Sequence, residues 1–202
     1  MGQEISNAVH IVDDDPAVRH TIATILRAAG FSPHQYATAD ELLGTIDSLE
    51  PGCIITDVNM PGLSGIELLL SLKESGVELP VIVISGQADI PMAVEAIKAG
   101  AVEFLEKPLH SDTLRAAVQG AALRHTPTPA DETIHYVRIV ESLTRRQREV
   151  LAGILDGQPN KIIAYQLGLS IRTVEAYRAA IMERTRARNL SELVRMGIKA
   201  GL

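Results

Sequence analysis

The sequence predicts an α/β domain, a five-stranded doubly wound parallel sheet, followed by a smaller all-α helix-turn-helix domain. Over the first 125 residues, short apolar β-branched runs alternate with amphipathic stretches, which is the pattern of repeated βα units. Three of these runs are almost entirely apolar, as expected for strands that are covered on both faces. Beyond residue 142 the strand-like runs stop, and only short amphipathic segments remain.

Five strands and five helices are predicted to alternate in the first domain. The strands are Ala8–Val12, Ser32–Tyr36, Cys53–Thr56, Val81–Ile84 and Glu103–Leu105. The helices are expected near residues 16–29, 39–48, 65–75, 90–99 and 111–124, where apolar residues recur three and four positions apart. In such sheets the functional crevice lies at the carboxyl ends of the strands, near the switch in strand order. Functional residues are therefore expected just after the strands.

A change in composition marks the domain boundary. The segment His125-Thr126-Pro127-Thr128-Pro129 lacks apolar periodicity and favours an extended spacer. A short helix is expected at 130–141, and four further helices near 144–156, 159–167, 171–186 and 190–200. We therefore predict a first domain over 1–124, a linker over 125–141 and a helical domain over 142–202.

The two parts differ in charge. The net charge of −6 divides into −10 for residues 1–125 and +4 for residues 126–202. A basic module joined to an acidic one makes the second part the candidate for binding nucleic acid. The longest apolar runs have the length of a strand, and the single cysteine, Cys53, has no partner for an intrachain disulfide. These features predict a cytoplasmic protein with no membrane segment.

Acidic residues follow two of the predicted strands. Asp13, Asp14 and Asp15 follow the first strand, and Asp57 follows the third. Helix capping explains Asp15, which precedes Pro16 at the expected start of a helix. The other acids would repel one another at one sheet edge, and a hard divalent ion such as Mg²⁺ would relieve that repulsion. The pattern therefore predicts a metal site.

Two more residues convert this metal site into a candidate for phosphoryl transfer. Ser85 ends the fourth strand, and Lys107 follows the fifth strand and precedes Pro108, a candidate for a cis peptide bond. A hydroxyl and an ammonium at this edge could bind the oxygens of a phosphoryl group carried by Asp57.

The strings HIVDDDP, ITDVNMPGLSGIELL, VIVISGQAD and AVEFLEKPL resemble the receiver domain of two-component response regulators. The resemblance covers residues 8–124 and implies a flavodoxin-like fold, with Asp57 phosphorylated by a sensor histidine kinase. It also implies roles for residues around the acceptor. These are Asp13, Asp14, Asp57 and the main-chain carbonyl of Asn59 as Mg²⁺ ligands, Ser85 and Phe104 as the switch pair, and Lys107 as the phosphoryl partner.

Two enzymatic alternatives fit the first domain less well. A nucleophile elbow requires Gly-x-Ser-x-Gly, but the segment around Ser64 places Ile66 where the last glycine belongs. A phosphatase acting through an aspartyl phosphate would carry a second Asp two residues after Asp57, where this sequence has Asn59. We therefore expect no external substrate turnover. Asn59 and Gln87 could position water and allow weak self-dephosphorylation.

The helical domain carries a helix-turn-helix signature at Gly168-Leu169-Ser170, where Ser170 can cap the next helix. Apolar Ile162, Ile163, Ala164 and Leu167 are expected to face Val174 and Ile181. The string from Leu143 onward resembles the LuxR-type DNA-binding domain, and the whole chain resembles the FixJ/NarL family, above all its FixJ branch. The resemblance implies phosphate contacts by Lys161, Arg172 and Thr173, and base reading by Glu175, Ala176, Arg178 and Ala179.

Two positions in the expected recognition helix depart from the LuxR-type pattern. Tyr177 stands where His is common, and Glu175 is acidic where relatives are often basic. Glu175 can accept a hydrogen bond from cytosine N4, or it can pair with Arg172 or Arg178 on a solvated helix surface.

The expected function is that of a phosphorylation-dependent transcriptional regulator that binds double-stranded promoter DNA, as a homodimer when phosphorylated. Dimerisation through the receiver would follow from movement of Ser85 and Lys107. The alternative route is release of a DNA-binding domain that the receiver covers until it is phosphorylated. An adaptor whose helical domain binds protein rather than DNA is the competing function.

Overall fold

The computed structural model describes residues 7–86, 90–123 and 136–202. Its sheet has five parallel strands in the order β2-β1-β3-β4-β5. The strands are β1 (Ala8–Val12), β2 (Ser32–Tyr36), β3 (Gly52–Asp57), β4 (Val81–Ser85) and β5 (Glu103–Glu106). The predicted doubly wound α/β class is confirmed.

Five α-helices alternate with these strands. They are α1 (Pro16–Ala28), α2 (Ala39–Leu43), α3 (Gly65–Glu74), α4 (Ile90–Ala99) and α5 (Ser111–Leu123). The helix predicted over 39–48 is wrong in extent, because α2 ends at Leu43 and a separate 3₁₀ turn covers Ile46–Ser48. Gly44 is a poor helix former, and the Thr45 hydroxyl donates to the Leu42 carbonyl at 2.8 Å, which favours a turn over a continued helix.

The strand order places the functional crevice. Because β1 has β2 on one side and β3 on the other, the order of the chain reverses at β1, and a crevice opens at the carboxyl ends of β1 and β3. A continuous core that includes Val9, Ile11 and Ile55 holds these strands against α1 and α5. The strands that form the crevice are therefore held in place by a closely packed, buried core.

The C-terminal helices are α6 (residues 136–141), α7 (Arg145–Leu155), α8 (Asn160–Leu167), α9 (Ile171–Thr185) and α10 (Leu190–Lys199). Residues 130–135 of the predicted short helix lie outside the described part of the chain. The described residues divide into two compact units, 7–86 with 99–123 and 90–98 with 136–202. Within the second unit α9 packs on α7 and α8, and α10 packs on α7.

Side-chain caps set the starts of these helices. Thr144 and Gln147 form a capping box at α7, and Ser170 Oγ accepts the Thr173 amide at 3.1 Å, as predicted for α9. Ile163, Val174 and Ile181 are fully buried between the helices. Ile162 is 43% exposed, so its predicted place in the core is wrong: it lies next to Ile163 on the solvent side of α8. No helix in the described ranges has the length and apolar character needed to cross a membrane.

Candidate functional sites

Two buried carboxylates lie at the carboxyl ends of β1 and β3. Asp13 is fully buried and Asp57 is 5% exposed. Main-chain amides hold both in place, since Asp15 N–H donates to Asp13 Oδ1 at 2.9 Å and Asn59 N–H donates to Asp57 Oδ2 at 3.1 Å. The parallel register of β1 and β3 thus brings together acids that are 44 residues apart in sequence.

Lys107 joins the two carboxylates. Its Nζ lies 2.7 Å from Asp13 Oδ2 and 2.9 Å from Asp57 Oδ1. The Lys107 amide donates to the Ser85 carbonyl at 2.8 Å, and the Lys107–Pro108 peptide bond is cis. Strands β1, β3, β4 and β5 therefore all contribute to one charged cluster.

The cluster shifts the pKa values of Asp57 and Lys107. Burial raises the pKa of Asp57, while the Lys107 ammonium and the Asn59 amide oppose that rise. Burial alone would lower the pKa of Lys107, but the carboxylates of Asp13 and Asp57 outweigh it and raise that pKa. Lys107 is therefore firmly charged, and Asp57 is a more basic carboxylate than an exposed one.

The site has one buried atom with unused capacity. Asp57 Oδ1 lies within ion-pair distance of Lys107, yet its contacts among the described residues include no hydrogen bond of good geometry. Such an oxygen is the kind of donor that Mg²⁺ accepts, and Mg²⁺ commonly uses only one or two carboxylates together with water. In the described part of the chain, no three His, Cys, Asp or Glu side chains are grouped closely enough to hold a metal unaided. Asp14 is exposed and follows Asp13 directly.

Two other predicted residues lie on β4 and β5. Ser85 is fully buried at the end of β4, and Phe104 is half-buried on β5. Gln87 lies outside the described residues. Sequence reasoning missed Arg19, whose guanidinium donates to the Asp13 carbonyl from the first turns of α1. A cation near a helix N-terminus is unfavourable for the helix dipole, and that signal could have identified it.

This arrangement suits phosphoryl capture. The buried Asp57 Oδ1 lies beside the Lys107 ammonium, and the buried Ser85 hydroxyl ends the neighbouring strand. Positive charge held in place before a reaction stabilises negative charge that develops on transferring oxygens. The loose transition state of phosphoryl transfer needs such positioning more than covalent assistance.

The second candidate surface lies on α8 and α9. Lys161 is exposed near the start of α8, and Arg172, Glu175, Ala176 and Ala179 are exposed on α9. Thr173 is half-buried, and its hydroxyl lies 2.7 Å from the Ser170 hydroxyl in the helix cap. The exposed face lies opposite the buried residues Val174 and Ile181. Its small and polar side chains allow the helix to approach a DNA groove closely.

Arg178 differs from its neighbours on α9. It is half-buried, and its Nη1 donates to Asn160 Oδ1 at 3.0 Å. Asn160, the first residue of α8, is a second residue that sequence reasoning missed. A hydrogen bond between residues 18 apart in two helices has no local sequence signal.

Two family models match this chain. Residues 9–119 match the family model of the response regulator receiver domain, and residues 141–197 match that of bacterial regulatory proteins of the luxR family. The transcriptional regulatory protein FixJ of Azorhizobium caulinodans is 43% identical over 96% of this chain and 93% of its own length. The response regulator protein TodT of Pseudomonas putida is 38% identical over 95% of this chain and 85% of its own.

Solved structures give the same result. Full-length FixJ from B. japonicum matches with a TM-score of 0.56 and 40% identity, covering 96% of this chain and 97% of that one. The response regulator StyR matches with a TM-score of 0.54 and 38% identity, covering 95% and 98%. All these relatives are regulators rather than metabolic enzymes.

Proposed function

This chain belongs to the FixJ-type response regulators, which join a receiver domain to a LuxR-type DNA-binding domain, and we propose that Asp57 is the residue that its partner histidine kinase phosphorylates. The protein is a phosphorylation-dependent transcriptional regulator. The observation that carries the choice of Asp57 is the Lys107 ammonium, 2.9 Å from Asp57 Oδ1 at the carboxyl edge of the sheet. Asp13 is equally buried, but its two oxygens already accept bonds from Asp15 and Lys107.

Receiver domains generally bind Mg²⁺ at the phosphorylation site, and in this chain Asp13, Asp14, Asp57 and the Asn59 carbonyl would hold it. When bound, the ion supplies positive charge to the oxygens of the transferring phosphoryl group. Lys107 neutralises part of the same charge from β5. The buried Asp57 Oδ1 supports the assignment, because it still has acceptor capacity.

We further propose that Ser85 and Phe104 transmit the phosphorylation state. A phosphoryl group adds roughly two negative charges, so the Ser85 hydroxyl and Lys107 would turn toward it. Phe104 is on β5, three residues before Lys107, and because it has no hydroxyl it would respond by packing. Homodimerisation through the receiver face of α4, β5 and α5 would then bring two DNA-binding domains to one site. Release of a covered DNA-binding domain is the alternative route.

The DNA contacts follow from the exposed surface of α8 and α9. Lys161, Arg172 and Thr173 would bind phosphates, which fixes the position of the domain without reading sequence. Glu175, Ala176 and Ala179 would face the bases, with Arg178 at the inner edge of that face. Exposed Glu175 also lies close enough to Arg178 to interact with it electrostatically, so both of its expected roles stay open.

The remaining assignments form part of the same proposal. The domains are 1–124 and 142–202 with a linker at 125–141, and the site of action is the cytoplasm, where promoter DNA is found. Self-dephosphorylation is weak and uses Asn59 to position water. Because Asn59 positions the attacking water, its replacement with an apolar residue lengthens the lifetime of the phosphoryl group on Asp57. Loss of the phosphorylated band over time on a phosphate-retarding gel measures that lifetime.

One experiment tests the proposed function as a whole. Random duplexes are selected with the full chain, untreated or treated with beryllofluoride and Mg²⁺, which together mimic the phosphorylated aspartate. We expect the treated protein to enrich a roughly palindromic site, and an Asp57→Asn variant to gain nothing from the treatment. Equal enrichment with and without beryllofluoride would contradict the phosphorylation dependence, and no enrichment at all would favour a protein-binding adaptor.

A further inference from the structure

Arg178 and Asn160 form a hydrogen bond between the two helices of the helix-turn-helix. Arg178 Nη1 donates to Asn160 Oδ1 at 3.0 Å, and both residues are half-buried. Asn160 begins α8 and directly precedes Lys161, which is exposed and expected to contact a phosphate. The bond therefore connects the start of α8 to the middle of α9.

The position of Arg178 on α9 explains its burial. It is four residues after Val174 and three before Ile181, and both of those side chains are fully buried. Residues at these spacings share one side of a helix, so Arg178 projects toward the seam with α8. Arg172, in contrast, is exposed at the start of α9.

The charge of Arg178 is also compensated inside the domain. Burial lowers the pKa of its guanidinium, and Glu175, one turn earlier on α9, opposes that effect. A guanidinium keeps its proton in proteins, so the cation stays charged in a partly desolvated seam. Breaking its bond to Asn160 in order to reach a base would leave a half-buried guanidinium N–H without its acceptor, and an unsatisfied donor that is partly desolvated costs free energy.

We propose that Arg178 is a positioning residue, which locks α8 to α9 through Asn160 so that the phosphate contact of Lys161 and the base contacts of α9 are made in one register. This role rests on the proposed DNA binding and replaces base reading as the function of Arg178. Small errors of placement strongly reduce interactions that need close geometry. The hydrogen bond between Arg178 and Asn160 thus affects sequence preference although neither side chain contacts a base.

A double-mutant cycle on DNA affinity tests this role. Arg178→Met and Asn160→Leu are made singly and together in the full chain, and each is titrated with the selected duplex and a random duplex after beryllofluoride treatment. We expect each single variant to lose about tenfold in preference for the selected duplex, within the range of interaction energies between contacting residues. The double variant should lose no more than either single one.

Salt dependence separates positioning from a phosphate contact. The logarithm of the DNA association constant falls linearly with the logarithm of salt concentration. Removing one phosphate contact makes that negative slope shallower by about 0.9. We expect that decrease for the control variant Arg172→Met, and an unchanged slope for Arg178→Met. The variant Asn160→Asp keeps an acceptor at the same place, so it should retain the preference ratio even though its added charge weakens binding to both duplexes.

The possible outcomes are distinct. Additive losses at Arg178 and Asn160, a lowered salt slope, or relaxed preference at one base pair only would each overturn the positioning role. If Arg178→Met loses its helical circular dichroism and so does not fold, the comparison of Asn160→Leu with Asn160→Asp tests the positioning role instead. An equal loss of preference for the selected duplex in those two variants would refute it. A parent protein that prefers no duplex would instead overturn the proposed DNA binding, and the positioning role with it.

Discussion

Gly65 begins α3 directly against the backbone of Asp57, the proposed phosphoacceptor, and its replacement by alanine should disturb that residue. A Cβ atom at this position would lie 2.1 Å from the Asp57 carbonyl oxygen and 2.9 Å from Thr56 Oγ1. The Gly65 amide also donates to the Val58 carbonyl at 3.1 Å, so the helix start cannot move away without losing that bond. The crowding therefore falls on the end of β3.

The size of the effect follows from the distance. An ordinary contact for a Cβ atom begins at 3.4 Å, so α3 and β3 must separate by about 1.3 Å, in a core packed nearly as densely as a crystal. Inserting a methyl group into such a core costs about 1–3 kcal/mol. A displacement of about 1 Å near a reacting group can reduce its rate roughly 100-fold. Gly65→Ala should therefore show both effects.

Two assays measure them. Urea unfolding followed by circular dichroism should show a midpoint about 1 M lower, given slopes of about 1–3 kcal/mol per molar for small domains. Phosphorylation by phosphoramidate, a small phosphodonor, should be about 100-fold slower on a phosphate-retarding gel. Gly120→Ala is the matched control: Gly120 lies within α5, and apart from its chain neighbours and its own helix backbone, no atom of the described residues lies within 4 Å of a Cβ there. It should be neutral or stabilising, by up to about 1 kcal/mol.

A Gly65→Ala protein with parental stability and parental phosphorylation rate would refute this reasoning. Loss of stability with an unchanged rate would mean that the strain is absorbed in α3 and does not reach the Asp57 carboxylate.

Three further predictions concern single side chains. Lys107→Met should move the acid limb of the phosphorylation rate to higher pH, because Lys107 opposes the rise in the pKa of Asp57 and its loss lets the carboxylate protonate earlier as pH falls. Gly197→Ala should destabilise the helical domain by about 1–3 kcal/mol in urea unfolding, because its Cβ would lie 2.5 Å from Leu155 Cδ1. Cys53 should resist iodoacetamide at pH 8 until the protein unfolds, because burial raises the pKa of its thiol to about 12.

Matched controls make these results specific. Arg27→Met removes an exposed cation from the end of α1 and should leave the acid limb where it is. A limb that stays in place in Lys107→Met would contradict the charge argument, and a Gly197→Ala protein as stable as its parent would contradict the crowding. Labelling of Cys53 in the native protein would mean that β3 opens locally.

The fold of the receiver was predictable because strand and helix periodicities are local. The almost entirely apolar runs in β1, β3 and β4 identified strands buried on both faces, and residues 8–12, 53–56 and 81–84 are all buried in the structure. The break after Leu43 was missed because a single Gly44 in an amphipathic stretch is compatible with a helix or with a turn. Ile162 was misplaced for a similar reason: it adjoins Ile163, and a run of two apolar residues does not reveal which one faces inward.

The acidic site was predictable in its members but not in its contacts. Parallel topology alone brings Asp13, Asp57 and Lys107 to one edge, whereas distances of 2.7 and 2.9 Å depend on the path of the chain after β5. The bond between Asn160 and Arg178 was not predictable, because it depends on the angle between two helices. The family resemblance implied that Arg178 reads bases, whereas the structure shows a half-buried side chain bonded to Asn160.

The net charge around Asp57, the proposed phosphoacceptor, implies that the site needs a divalent cation more strongly once it is phosphorylated. Asp13 and Asp57 carry two negative charges against one positive charge on Lys107, while Asp14 is exposed and screened by solvent. A phosphoryl group carries about two negative charges in place of the one on Asp57, so the excess rises from about one to about two. One divalent cation neutralises the excess of about two negative charges in the phosphorylated site, but it exceeds the single excess charge of the unphosphorylated site.

Removing metal with EDTA should therefore slow phosphorylation by phosphoramidate strongly, while it changes the urea midpoint of the unphosphorylated protein little. A phosphorylation rate that is insensitive to EDTA would show that Lys107 alone neutralises the site.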